Sequence, residues 1–262
     1  MQYVFLSHDV DWRYQGPPIE HILARKDRFE KQVLDNIHVK NPYYNIPVFM
    51  NLEDKFGIKS TFFFRTKYEN GDFMDYEDDI KVLEKGGWEI GLHTDPHSID
   101  DFEKIRKEKN ELEDLMTTKL LGNRVHYLGF NDKLPNWLQS LEFVYDSSVR
   151  KTKNLITKDE MGFFKFDQLI EFPITIMDAY LFTYMNIKEE KVIDVFRETL
   201  NTARKLNGVL NVITVNWHTN VLQMKGGRIY PKILEFLTSQ DDVKICRGID
   251  LAKMINEKSL NS

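Results

Sequence analysis

Short apolar runs, rich in β-branched and aromatic residues, alternate along this chain with longer stretches whose apolar positions recur every three or four residues. The runs fall at residues 3–7, 59–64, 88–92, 125–128, 143–145, 170–176, 209–216 and 243–246. Near-continuous apolarity over so few residues predicts strands buried on both faces. Between them, 48–56 and 76–85 read as short helices closed by Gly57 and Gly86, and 102–121 as a longer one closed by Gly122. Glycine most easily takes the left-handed turn past a helix end. The clearest helix is 189–206, with Val192, Val195, Phe196, Thr199, Leu200 and Ala203 on one face. Segments 229–237 and 249–255 complete the set.

This alternation predicts an α/β fold with a parallel sheet covered by helices. Some seven or eight such units point to a barrel, with an open doubly wound sheet as the alternative, because counting strands does not decide closure. In either case functional groups belong at the C-terminal strand ends. Two segments break the alternation. Residues 12–47 are polar and carry Pro17, Pro18, Pro42 and Pro47; so long a segment right after the first strand reads as an active-site insertion or lid. Residues 147–167 carry Lys151, Lys153 and Lys158 with an aromatic patch at Phe163, Phe164 and Phe166. No repeat or linker divides the chain, so residues 1–262 read as one domain.

Composition adds exclusions. Hydrophobic residues at 42% are ordinary for a globular protein, and a net charge of −5 offers no basic field for a nucleic-acid backbone. No apolar run approaches the roughly 20 residues that span a bilayer. Asp9 and Asp11 interrupt the only stretch resembling a signal peptide, so a cytoplasmic location is expected. Cys246 has no cysteine to pair with inside the chain and reads as a small buried strand residue.

The chemistry gathers at two predicted strand ends, in Ser7-His8-Asp9-Val10-Asp11 and in His93-Thr94-Asp95-Pro96-His97. Two imidazoles and one carboxylate make a three-ligand set for a divalent metal with positions left for water. A second carboxylate nearby suits the base that deprotonates that water. Spacing of four brings His93 and His97 together on a helix or in a turn, and Pro96 favours the turn. His8 alternates to the opposite side and reads as packed or capping. His218 ends the most apolar strand and suits a general acid. Arg124 suits a guanidinium fixing the base by a forked contact. Asp146 ends another short strand and reads as a substrate contact, or as orienting a polar partner or capping a loop, with Asp178 in a similar second role on less support. Trp12 and Trp217 adjoin site residues and are candidate cleft walls.

Taken together with Arg124-Val125-His126, Tyr145-Asp146-Ser147-Ser148 and Trp217-His218, these motifs resemble the NodB-homology polysaccharide deacetylases, in order and across most of the chain. The resemblance implies a distorted (β/α) barrel of about seven parallel strands and one divalent ion, zinc first, with cobalt, nickel and iron as the other candidates. It implies Asp11, His93 and His97 as ligands, Asp9 as base, Arg124 holding Asp9, and His218 as acid. Three departures bear on the substrate. Val10 separates aspartates that are usually adjacent, and Trp12 stands where Gly usually follows. His126 replaces a Pro, which narrows the cleft or adds a polar contact to substrate. The insertion at 12–47 has no counterpart in compact relatives. The expected activity is removal of an N-acetyl or other acyl group from a sugar or glycan. The alternatives are hydrolysis of a small non-peptide amide and a non-catalytic sugar-binding role.

Overall fold

Strand β1 (Gln2–Val10) shows how a strand with two buried faces is accommodated. Val4, Leu6 and Val10 join the apolar layer beneath the helices, whereas Phe5 joins a second cluster with Phe63, Tyr145 and Phe172 inside the curl of the sheet. In this computed structural model, which describes residues 1–206, 208 and 210–260, nine further strands extend from β1. They are β2 (Thr61–Phe64), β3 (Glu89–Thr94), β4 (Gly122–Val125), β5 (Tyr145–Asp146), β6 (Phe164–Phe166), β7 (Leu169–Glu171), β8 (Ile174–Met177), β9 (Asn211–Asn216) and β10 (Val243–Cys246). Their order is β8-β9-β1-β2-β3-β4-β5-β7-β6, with β10 alongside the first half of β1 and β2 alongside the second. Within this sheet every pairing is parallel except β6 with β7.

The predicted run 170–176 is two strands, because Pro173 has no N–H to give a ladder. Its first part, β7, pairs with β5; its second, β8, pairs with β9 at the other end of the sheet. One continuous piece of chain thus joins the two edges, and Ile174 N donates to Val149 O at 2.9 Å across the seam. The result is the expected distorted barrel, with more strands than the resemblance implied and one seam incompletely bonded.

Helices α1 (Ile46–Lys55), α2 (Glu77–Lys85), α3 (Phe102–Glu113), α4 (Leu134–Ser140), α5 (Asp178–Thr183), α6 (Val192–Ala203), α7 (Tyr230–Thr238) and α8 (Gly248–Leu260) complete the layers. Helix α3 stops well before the expected Leu121. Thr117 and Thr118 instead give their backbone N–H groups to the Glu84 carboxylate, and β-branched residues are poor helix formers. Of the predicted run 209–216, Val209 lies outside the described residues. Glu53 of α1 lies buried under the barrel wall and accepts hydrogen bonds from His8, Ser60, Trp88 and Tyr230. That network occupies His8 as the alternation of β1 requires, facing away from the cleft.

Residues 12–47 are neither sheet nor open loop. Short helical turns at Ile19–Leu23 and Lys31–Asp35 fold over a small core of Ile22, Phe29, Ile37, Tyr43 and Met224. Among the described residues no helix is long and apolar enough to cross a membrane.

Candidate metal centre and catalytic groups

The barrel mouth is built in layers. Asp9 sits in register with Phe63, and Phe63 with Gly91. A Cβ on Gly91 would stand 2.5 Å from the Phe63 ring, so glycine there gives the ring its space. Above it, His93 lies in register with Arg124, and Asp11 follows two residues after Asp9. Arg124 is wholly buried with its guanidinium carbon 4.4 Å from the Phe63 ring centre. It donates to Asp9 Oδ1 at 2.7 Å, to Ser7 Oγ at 2.9 Å, and to Ser147 O and Oγ at 3.0 and 2.9 Å. The expected fork on Asp9 is therefore a single bond, because the other guanidinium nitrogens are taken by Ser147.

Asn216, which sequence reading missed, donates to Asp9 Oδ2 at 2.7 Å. Its signal was its place beside Trp217 and His218 at the end of β9. Burial raises the Asp9 carboxyl, but Arg124, His93 and His218 together hold it below its ordinary value. Arg124→Ala is expected to cost about 3–5 kcal/mol in urea unfolding, since it strands a buried carboxylate. A loss below about 1 kcal/mol would show that Arg124 does not compensate that charge.

Three ligand-type atoms converge in front of Asp9. His93 Nε2 lies 3.2 Å from Asp11 Oδ1, His126 Nδ1 lies 3.1 Å from His93 Nε2, and His126 Nδ1 lies 3.3 Å from Asp11 Oδ1. His93 Nδ1 is 2.9 Å from Arg124 O, so that nitrogen carries the proton and Nε2 presents its lone pair. Burial lowers the His126 pKa despite Asp11, which favours a neutral ring and a second lone pair. Bonds of about 2.0–2.1 Å at the tetrahedral angle separate ligand atoms by about 3.3 Å. The triangle therefore matches one face of a tetrahedral metal site, and its O and N donors suit zinc.

His97 is not in it. The turn that Pro96 favours is present at residues 95–98, with α3 beginning only at Phe102, but among the described residues it does not bring the His97 ring to the converging donors. The His97 ring is exposed, while its backbone N–H goes to Asp95 Oδ1. Asp95 in turn meets Arg65 at 3.0 Å. His126, expected as a substrate contact, takes the third corner. Strand β4 ends at Val125 rather than starting there, and Tyr127 and Leu128 adopt φ of 61° and 55°. That left-handed turn aims His126 inward and leaves Tyr127 83% exposed.

His218 approaches from the other side. Its Nε2 lies 3.5 Å from Asp11 Oδ2 and 3.7 Å from Asp9 Oδ2. Its Nδ1 is 2.5 Å from Asp178 Oδ1, and its backbone N–H binds the second Asp178 oxygen at 2.8 Å. Burial pushes this imidazole down, but Asp178, Asp11 and Asp9 outweigh it and raise the pKa to about 10. Asp178 is thus the orienting carboxylate, and Asp146 is not a cleft residue. Asp146 is buried beside Glu171, in register with Asn123 and Glu171, and accepts hydrogen bonds from Asn123 and Ser148. Trp217 is likewise core: its ring donates to Gly227 O and packs on Phe182 and Tyr230. Trp12 does line the cleft.

No protein-family model matches the chain. A chitin deacetylase from Arthroderma benhamiae is 30% identical over 116 residues, covering 42% of this chain and 28% of that relative. The chain therefore spans well under two thirds of it. A Mycobacterium smegmatis protein assigned as a polysaccharide deacetylase superposes with a TM-score of 0.68 at 21% identity, over 98% of this chain and 91% of that one. PuuE allantoinase superposes with a TM-score of 0.65 at 14% identity, over 96% and 88%. The fold is thus that of the polysaccharide deacetylases, as the motifs implied.

Proposed function

We propose that this protein is a metal-dependent deacetylase that removes the N-acetyl group of a sugar. The observation that carries this reading is the triangle of Asp11, His93 and His126 donor atoms facing an ionised Asp9 and a protonated His218. The barrel shared with polysaccharide deacetylases supports it.

Asp11, His93 and His126 would hold the ion. A bound divalent ion supplies Lewis acidity and lowers the pKa of water. Asp9, kept ionised by Arg124 and immobile by Asn216, takes a proton from the water that attacks the acyl carbon. His218, held by Asp178, gives its Nε2 proton to the leaving nitrogen as the C–N bond breaks, so acetate and a free amine result. The same groups serve a small non-peptide amide. That second reading is favoured by the insertion, which walls the cleft with Trp12 and Tyr43 and suits a compact substrate over a threaded polymer.

Chelation is expected to abolish acetate release from N-acetyl sugars, and zinc or cobalt to restore it, with about one metal per chain by elemental analysis. Undiminished turnover by metal-free protein would sink the reading. Ammonia or urea-type products from cyclic or linear amides, without acetate from any sugar, would favour the second.

A further inference from the structure

The cavity at the cleft has a volume of about 520 Å³ and is lined by Asp11 and His218 together with Arg25, Arg28 and Lys225. We propose that Arg25, Arg28 and Lys225 form a subsite for a phosphate group carried by the acylated sugar itself. This rests on the deacetylase reading and names its substrate class as a phosphorylated or nucleotide-linked acyl sugar.

The cations there are unspent. The Arg28 guanidinium has no hydrogen-bond or ion-pair partner among the described residues. Arg25 Nη1 donates only to His21 O at 3.2 Å, and Lys225 Nζ only to Asp27 O at 3.2 Å. Asp27 is the insertion's acid in this wall, and its carboxylate pairs with none of the three. Elsewhere, among the described residues, every arginine but Arg13 is ion-paired, and Arg13 binds the carbonyls of Gly16 and Asn70. Unpaired guanidinium groups gathered in one cavity of a chain with net charge −5 stand out against that background.

The fold also holds these charges together. Lys225 N donates to Arg28 O at 2.7 Å, Phe29 bridges to Met224 in antiparallel fashion, and both residues join the insertion's small core. Two cationic side chains are thereby set on adjacent backbone, at an electrostatic cost that an anion relieves. His21, lowered by burial and by Arg25 and Arg28, adds a neutral ring to the same wall. Trp12, in the same lining, packs edge-on against Tyr43 with ring centres 5.2 Å apart and offers an aromatic surface for the sugar. Guanidinium groups bind phosphate oxygens through paired N–H donors. Because acyl and anion sites share one cavity, both groups belong to one small molecule.

The test compares the metal-loaded protein with its Arg25→Gln/Arg28→Gln and Lys225→Gln variants on N-acetylglucosamine 1-phosphate, UDP-N-acetylglucosamine and neutral N,N′-diacetylchitobiose. Wild type is expected to favour one or both phosphorylated sugars in kcat/KM, and the arginine variant to shrink that preference by about tenfold per charge, mainly through KM. The two phosphorylated arms tell a monoester from a nucleotide diphosphate. A wild-type preference for the neutral sugar, or equal losses on all three substrates, overturns the subsite. If no acyl sugar is hydrolysed, the deacetylase reading fails separately, and calorimetry with inorganic pyrophosphate decides. Binding that the arginine variant loses supports the subsite; no binding, or equal binding by both proteins, overturns it.

Discussion

Asn in place of Asp9 is expected to lower kcat by about 10²–10⁴-fold while the purified protein keeps its metal. The side chain keeps its shape and one oxygen for Arg124, but it no longer accepts a proton. Asp9 lies 3.7 Å from both His93 Nε2 and His218 Nε2, near the metal corner without belonging to the triangle. The change also leaves Arg124 without its carboxylate, so metal content and a thermal unfolding curve belong beside the kinetics. Near-wild-type turnover by a folded, metal-replete D9N protein removes Asp9 as base. Loss of the metal instead makes Asp9 a ligand.

His126→Ala is expected to strip the metal, and His97→Ala to leave it. Removing one of three protein ligands should weaken binding by more than the roughly 10–100-fold that the loss of an outer partner costs. The His97 ring is exposed and absent from the converging donors, so its removal should change affinity little. Equilibrium dialysis against a competing chelator reads both variants. A His97→Ala protein that loses its metal, beside a His126→Ala protein that keeps it, would restore the His-x-x-x-His set and refute the geometry described above.

This pair of variants also marks where local pattern stops being informative. Asp9, Asp11, His93 and His218 were legible as candidates because each ends an apolar run, and in a parallel sheet all strand ends open on one side. The Arg124–Asp9 contact was legible as a pairing of types, though not as one bond with the other nitrogens spent on Ser147. Asn216 and Asp178 were adjacent to legible motifs, yet their roles rest on contacts spanning 207 and 40 residues of chain. Trp217 and Asp146 failed as cleft residues for the converse reason: proximity in sequence to a site says little about which face of the sheet a side chain joins.

The pattern of apolar positions by itself determined the α/β alternation and the long polar segment after β1, since periodicity and turn residues act over a few positions. Tertiary structure decided the rest. It split 170–176 so that one segment closes the barrel, and it turned His126 inward while His97 turned out. It also set Arg28 beside Lys225. Each of these depends on non-local packing and on a few backbone dihedrals, where a change of one residue's φ redirects a side chain by several ångströms without altering the hydrophobic pattern.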